Sequence, residues 1–430
     1  MDIINSLQNA SPAGPTEAAY IGIDWSDRKH DICLYDVEQQ THEFCIIEHR
    51  PETINEWVEG LRKRYGGSRI AICTEQKCGP LIYALCKYDF LVLYPVNPRT
   101  VAKYRQAFKP SRAKDDPTDA ALLVELLSKH REHLHVWEPQ STELRKLTQL
   151  VESRRKLVGD KVRLSNRIIA TLKNYYPQVL EWFEDKDTQV FCEFLLEHPT
   201  LKAAQAASSE ELIKFFHMHN VVRKAAINRR LEQIKDSTPL TEDKSVIETM
   251  ELLMRTWVQQ LKMLLLSIQS FDREIEKIFT THPDSDLFSS FPGAGPHLAP
   301  RLLVAFGEDR SRYTSAQEIL CYSGISPVKE KSGKKEWIHW RWSCPTFLRQ
   351  TFVEWANHSR HYSFWASEFY DRQKQIGKTH QMAIRALAFK WIRIVYRCWQ
   401  DRQPYDEAKY LMVLKRKGSP LVKNIATEAA

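Results

Sequence analysis

Between Ile247 and Ile278, the apolar residues Ile247, Met250, Met254, Trp257, Leu261, Leu264, Ile268, Phe271, Ile275 and Ile278 follow one another in steps of three and four without a miss. A strand repeats every second residue and cannot satisfy that spacing, so the run predicts one helix of more than four heptads with a long apolar seam. Such a seam needs a second long helix to cover it, from the same chain or from another. A candidate lies upstream, where Leu150, Leu157 and Leu164 fall seven apart in a segment, Ser141 to Tyr175, that carries nine Lys/Arg against three Asp/Glu. The centre of the chain is therefore expected to be an α-helical coiled coil over residues 140–282, with a mixed helical stretch at 177–245 between its two long helices.

The residues before this region have a different rhythm. Tyr20-Ile21-Gly22-Ile23-Asp24 reads as a short strand ending in a carboxylate, and 31–35 and 44–47 follow at hairpin spacing to make a three-stranded meander. Ile54, Trp57 and Leu61 mark a helix face, Ile70 to Cys73 a buried strand, Leu81 to Leu85 a helix, and Phe90 to Tyr94 another strand. Strands first antiparallel and then alternating with helices describe a mixed α/β domain over 19–137, preceded by a loose tail at 1–18. A mainly α domain is expected over 285–412. It opens with Phe291-Pro292-Gly293-Ala294-Gly295-Pro296, a turn feeding a helix from Leu298 to Phe306. It closes with an amphipathic helix, Met382 to Trp399, on which Arg385, Arg393 and Arg397 share a side. Residues 413–430 read as a frayed basic tail.

A chain of 430 residues has room for two or three cores. Lys+Arg 62 against Asp+Glu 54 leaves a net charge of +8, which favours an anionic partner such as nucleic acid. The nine cysteines are scattered, with no C-x-x-C pair, and read as reduced thiols of a cytosolic protein rather than zinc or redox ligands. No apolar stretch approaches the 18 or so residues of a membrane span, so no membrane partner is expected.

Four carboxylates stand where chemistry could use them. Asp24 closes the first strand and Glu75 the fourth, while Asp116 and Asp119 stand three apart at the start of the helix carrying Leu122, Leu123 and Leu126. Crowded together, such acids would repel by about 4 kcal/mol per pair at 4 Å and an effective dielectric near 20, and would call for a hard divalent cation or shifted pKa values. Mg2+ suits an all-oxygen set, and two such ions about 3.5–4 Å apart can hold the attacking and leaving oxygens of a phosphoryl transfer. The same residues also make an ordinary helix start, with Asp116 as N-cap, Pro117 in the first turn and Asp119 near the positive end of the dipole.

Basic residues cluster nearby. Arg99, Lys103, Arg105, Lys109, Arg112 and Lys114 lead without an intervening acid to the aspartates, a run that suits phosphate contacts. Further on, Lys329, Lys331, Lys334 and Lys335 precede Trp337, Trp340, Arg341 and Trp342, interleaving charge with rings that either stack on bases or pack in a core.

In their order and spacing these motifs resemble the DEDD insertion-sequence transposases, the insertion-sequence one-ten family. Tyr-Ile-Gly-Ile-Asp24-Trp-Ser, Ile-Cys-Thr-Glu75, Asn97-Pro98-Arg99 and Lys114-Asp-Asp116-Pro-Thr-Asp119-Ala120 are similar to its RuvC/RNase H-like amino-terminal domain. Phe-Pro-Gly293-Ala-Gly295-Pro, Phe306-Gly307-Glu308, Ser315-Ala316 and Tyr322-Ser323-Gly324-Ile325-Ser326-Pro327 look like its second domain. The resemblance implies that Asp24, Glu75, Asp116 and Asp119 are catalytic Mg2+ ligands, Asp115 being the neighbour most easily confused with them. It also implies a serine nucleophile in the second domain that forms a phosphoserine link to DNA. The candidate is Ser343, in Trp340-Arg341-Trp342-Ser343-Cys344-Pro345, with Arg341 and Arg349 as basic neighbours, Ser332 and Ser326 as fallbacks, and a helix N-cap as the ordinary reading of Ser343. The family further implies DNA as substrate, a structured guide (bridge) RNA encoded by the element, a dimer or tetramer joined through the coiled coil, and a site in the prokaryotic cytoplasm at the nucleoid. Two other readings stay open: a junction nuclease that uses metal-activated water, and a degenerate DNA-binding protein whose carboxylates are only caps and turns.

Overall fold

A computed structural model of the chain describes residues 17–76, 79–108 and 116–422, with the side chains of Phe108 and Asp116 outside that description. The chain divides into two compact units, residues 1–139 and 140–430. The tail expected at 1–18 lies, up to residue 16, outside the described residues.

The first unit contains β1 (Ala19–Trp25), β2 (Lys29–Asp36), β3 (Thr41–Glu48), α1 (Pro51–Arg64), β4 (Ile70–Thr74), α2 (Pro80–Leu85), β5 (Leu91–Pro95), α3 (Pro98–Phe108) and α4 (Asp116–His130). The five strands form one sheet in the order β3-β2-β1-β4-β5, the first three antiparallel and β1, β4 and β5 parallel. This is the mixed α/β domain expected from the sequence, compatible with a RuvC-like fold. Alternation along the strands divides the core. Ile21, Ile23, Ile70, Ile72 and Leu93 pack with Ile54, Val58 and Leu61 of α1 and with α2. Ala71, Cys73, Val92 and Tyr94 pack on the opposite face with Leu123, Leu126 and Leu127 of α4. Edge strand β3 departs from its apolar reading, exposing Phe44 and Ile46.

The second unit begins with α5 (Thr142–Leu172), followed by α6 (Val179–Trp182), α7 (Gln189–Glu197), α8 (Leu201–Ala206), α9 (Ser209–Met218), α10 (Lys224–Asp236) and α11 (Lys244–Thr280). The two long helices run antiparallel within the chain. Leu144, Leu147 and Val151 near the start of α5 share a core with Ile275 and Phe279 near the end of α11. At the other end Ile168 and Leu172 share one with Met254, Val258 and Leu261. Arg154 pairs with Asp272, and the Arg167 guanidinium lies 5.1 Å from the Trp257 ring centre. Of the heptad set, Met254, Leu261, Ile268 and Ile275 are buried, while Trp257, Leu264, Phe271 and Ile278 are half-buried.

The rest comprises α12 (Ser285–Ser289), α13 (Gly295–Phe306), α14 (Ala316–Tyr322), β6 (Val328–Ser332), β7 (Lys335–His339), α15 (Thr346–Ser359), α16 (Phe364–Gln375), α17 (His380–Asp401) and α18 (Glu407–Arg416). The central and carboxy-terminal regions, read from the sequence as separate domains, share one hydrophobic core at the base of α5 and α11. Its largest members are Trp355, Trp365, Trp391 and Trp399, and each indole N–H finds an acceptor: the Pro292 carbonyl (3.1 Å), the Tyr405 hydroxyl (2.8 Å), the Ser359 hydroxyl (2.8 Å) and the Gly307 carbonyl (2.9 Å). Glu308 ties this core to the start of α5, accepting from Ser141 Oγ at 2.6 Å and lying 3.1 Å from His282 Nε2. Burial alone would raise the Glu308 carboxyl, but the hydrogen bonds from Ser141 and His282 hold it below its ordinary value. This region is mostly helical, as expected, with the antiparallel β6–β7 hairpin set among its helices. One correction follows. The tail expected from residue 413 is in part the end of α18, and Leu414 and Leu421 are buried in the core.

Candidate active site

In the first unit the parallel register pairs Gly22 with Cys73 and Ile23 with Thr74, so Asp24 and Glu75 follow as the next neighbours at the ends of β1 and β4. Asp24 also stands directly opposite Asp31 of β2, a carboxylate that sequence reasoning did not single out and whose side chain is 8% exposed, with Lys29 Nζ at 3.5 Å. Side chains of alternate strand residues share a face, so Asp24 lies on the face of Gly22, which is the face covered by α4. A Cβ on Gly22 would lie 2.1 Å from the Ala120 carbonyl oxygen and 2.9 Å from Val124 N. Only glycine permits that approach, which lays the first turns of α4 against the end of β1. The signal was present in the sequence as a glycine inside an apolar strand, two residues before the acid.

The α4 carboxylate is already engaged. Asp119 is 4% exposed at its side chain, and its Oδ1 lies 2.5 Å from Arg105 Nη2 of α3. Arg105, read from the sequence as a phosphate contact, is itself only 18% exposed. Among the described residues, no three His, Cys, Asp or Glu side chains stand together as an ion site. Asp116 opens α4, with its side chain outside the description, and Asp115, Lys109, Arg112 and Lys114 lie outside the described residues altogether. The donor chemistry nevertheless fits a hard divalent cation, since Asp24, Glu75 and Asp119 are all oxygen donors on the α4 side of one sheet end. Their surroundings are partly dry: burial, followed by the nearby Glu75 carboxylate, pushes the Cys73 thiol well up, and Gln76 Oε1 is buried without a partner among the described residues. Arg99 and Lys103 project from α3 to solvent.

Ser343 lies in the second unit, exposed in the segment between β7 and α15. The cap position of α15 is Pro345, with no side-chain cap bond, so Ser343 does not serve as the N-cap that its position suggested. The segment is anchored on either side of it. Gly324, at φ +71°, leaves the room that Cys344 Sγ needs, because a Cβ there would lie 2.3 Å from it. Arg341 Nε donates to the Ser326 carbonyl at 3.3 Å. Arg385 of α17 donates to the Gly324 carbonyl at 2.6 Å and stacks on the Trp340 ring, which Arg349 also faces, 5.8 Å from its centre. Arg349 Nη1 and Arg385 Nε are buried without partners among the described residues. Burial, reinforced by repulsion from Arg349, lowers the Arg385 guanidinium to about 10. Two crowded guanidiniums with unused donors, near the first turn of a 14-residue helix, form an electropositive surface suited to a phosphate. Ser326 is less available, being 7% exposed and accepting from Gln317 Nε2 at 3.2 Å, while Ser332 ends β6.

The hairpin before Ser343 is solvent-facing. Lys329, Lys331, Lys334 and Lys335 are on it, and Trp337, Trp340 and Trp342 are 45%, 38% and 73% exposed, so these rings lie outside the core. Trp337 and Trp342 can meet bases or sugars, whereas the Trp340 ring is engaged by Arg385.

A mixed sheet of this strand order, compatible with a RuvC-like fold, brings acids from the ends of its central strands and from a neighbouring helix to one side. Comparison with known proteins places the chain among enzymes that process nucleic acid. Residues 21–177 match the DEDD transposase domain of the IS110 type, and residues 285–371 match the transposase family IS116/IS110/IS902. The mini-circle putative transposase for IS117 of Streptomyces coelicolor is 28% identical over 404 residues, covering 91% of this chain and 96% of that protein. An insertion element IS116 protein of Streptomyces clavuligerus is 24% identical over 90% of this chain and 96% of its own length. The pilin gene-inverting protein of Moraxella bovis is 29% identical over 33% of this chain and 46% of its own. The chain belongs to the IS110 family of insertion-sequence transposases, enzymes that cleave and recombine DNA. Among the described residues no helix is long and apolar enough to cross a membrane.

Proposed function

We propose that this transposase exchanges DNA strands through a phosphoserine intermediate on Ser343, with Asp24, Glu75, Asp116 and Asp119 holding Mg2+. The observation that carries the reading is the placement of Asp24 beside Glu75 at the ends of parallel strands, on the face where Gly22 admits α4 and Asp119. When bound, the cation supplies charge neutralisation at the phosphate undergoing transfer. Ser343 Oγ attacks the scissile phosphorus; the Oγ–P bond forms, the phosphorus–oxygen bond to one sugar breaks, and that sugar oxygen leaves as a hydroxyl carrying the proton. Attack by the hydroxyl of the incoming strand reverses these changes and rejoins the DNA. The energy of the original phosphodiester is conserved, so no nucleotide cofactor is needed. Arg341, Arg349 and Arg385 stabilise the phosphate beside the serine, and the lysines and tryptophans of the β6–β7 hairpin bind the strands.

Sequence choice is assigned to a guide RNA encoded by the element, which pairs with donor and target DNA while the protein reads shape and charge. The protein acts as a homo-oligomer at the bacterial nucleoid. The exposed Leu252, Met263 and Leu266 of α11 support an interface between copies on the side of that helix not covered by α5. The name of the Moraxella relative, a gene-inverting protein, supports recombination over simple hydrolysis.

The test is incubation with element-end DNA and RNA from the flanking element, in Mg2+ and in EDTA, using a nicked suicide substrate to trap the adduct. A Mg2+-dependent covalent adduct mapping to Ser343 is expected. Metal-dependent cleavage without an adduct would identify a junction nuclease instead, and binding without cleavage would identify a degenerate DNA-binding protein.

A further inference from the structure

Where the α5–α11 pair meets α13 and α15, the second unit forms a partly open cavity of about 520 Å3, within the size range of sites that hold a small molecule or cofactor. Its lining mixes apolar side chains, Val151, Val158 and Val162 of α5 with Ile275 of α11, and the guanidiniums Arg154, Arg155 and Arg163 of α5 and Arg301 of α13, with one carboxylate, Glu354. Arg154 and Arg163 are held by Asp272 and Asp160. The other two guanidiniums are incompletely satisfied. Arg155 donates to the neutral Gln350, and its Nε is buried without a partner among the described residues. Arg301 donates to Thr351 Oγ1 at 3.1 Å and to Glu354 at 2.5 Å, leaving its Nη2 buried and unpartnered among the described residues. A buried donor left without an acceptor costs about 1–3 kcal/mol, and more when charged, so the arrangement favours an anion that supplies the missing oxygens. Burial also holds the Arg301 guanidinium below its ordinary value, outweighing the opposite effect of the Glu354 carboxylate.

Two further features point the same way. Pro296 and His297, in the first turn of α13, line the cavity at the positive end of that helix. Gly159 lines it from the middle of α5, where glycine costs roughly 0.5–1 kcal/mol relative to alanine. Packing does not require that glycine, because the contact a Cβ would make is with the Arg163 guanidinium at 3.5 Å. What its missing side chain does is keep the cavity open.

We propose that this cavity binds one nucleotide of a nucleic-acid strand, with its backbone phosphate on Arg155 and Arg301 and its sugar and base against Val158 and Val162. The inference rests on the reading of the chain as a nucleic-acid recombinase, but it assigns a site away from both the carboxylates and Ser343.

The test uses full-length protein and a fluorescein-labelled single-stranded 12-mer, in DNA and RNA versions, with Gly159→Leu to fill the cavity and Arg155→Gln to remove one charge. Each variant is expected to keep the wild-type melting temperature and to bind the oligonucleotide roughly tenfold more weakly. Arg155→Gln should also lower the slope of log K against log salt by about 0.7. A 4-thio-substituted strand should photocrosslink to the peptide spanning Val151 to Arg163. Unchanged affinity in both folded variants, or crosslinks confined to other peptides, would overturn the assignment. Inorganic phosphate or a mononucleotide saturating the wild type at micromolar concentration, with no effect of either variant on oligonucleotide binding, would instead identify a free-anion site. If the wild type forms no covalent adduct, the strand-exchange reading fails, whereas oligonucleotide binding and crosslinking still report on the cavity.

Discussion

Gly22 of β1 and Ala120 of α4 make the tightest approach between sheet and helix at the candidate active site, with a notional Gly22 Cβ only 2.1 Å from the Ala120 carbonyl oxygen. Because the obstacle is backbone, no rotamer change relieves it. Gly22→Ala is expected to cost about 1–3 kcal/mol and to lower strand exchange together with stability, by pushing α4 away from Asp24. Urea denaturation with a recombination assay checks this; an unperturbed midpoint would show that the helix can move at no cost.

Asp24 and Asp119 should separate function from stability. Asp24→Asn and Glu75→Gln are expected to abolish strand exchange and leave the melting temperature near that of the wild type. Asp119→Ala strands the mostly buried Arg105 guanidinium and is expected to cost about 3–5 kcal/mol. The double variant Arg105→Met/Asp119→Leu should recover much of that loss without recovering activity. Calorimetry and the adduct assay read the two quantities separately, and near-normal recombination by Asp24→Asn would remove it from the metal site.

Ser343 is exposed and caps no helix, so Ser343→Ala should leave stability within about 0.5 kcal/mol of the wild type while eliminating the covalent adduct. An adduct that survives the substitution would transfer the role to another serine.

The hairpin makes a prediction about salt. Lys334→Gln/Lys335→Gln should weaken duplex binding and reduce the slope of log K against log salt by up to about 2, whereas Trp342→Ala should weaken single-strand binding with little change in slope. Fluorescence anisotropy over a salt series distinguishes them; identical slopes for the wild type and the lysine variant would place these side chains away from phosphate.

His30 supplies a pH dependence. Burial, with His49 second, lowers it to about 4 from an ordinary 6.5. The unfolded chain therefore takes up a proton near pH 6.5 that the folded chain refuses until about pH 4. Its contribution to stability is complete above 6.5 and is lost as the pH falls through that window. In His30→Gln the loss of Tm between pH 7 and pH 5 should be smaller than in the wild type, and parallel curves would contradict this.

Much of this architecture is written in local pattern. The steps of three and four from Ile247 to Ile278 became α11, the alternation around Ile21 and Ile72 became two faces of one sheet, and the acids at strand ends stayed at strand ends. Periodicity and turn chemistry act over a few residues, so one chain read alone reveals them. Partner choice is different in kind. That α11 lies against α5 of its own chain, that Asp119 turns to Arg105, that Arg385 from α17 reaches the loop carrying Ser343, and that Trp337, Trp340 and Trp342 face solvent all depend on residues distant in sequence meeting in space. A tryptophan or an arginine has the same local signature in a core, an ion pair or a binding face. Sequence alone thus determined the strongly periodic helices and strands and where the carboxylates lie along them, but not the β6–β7 hairpin or the helix at the carboxy-terminal end; tertiary packing decided which charges are already satisfied and which are left for a ligand, because desolvation and pairing belong to the assembled surroundings and not to the residue.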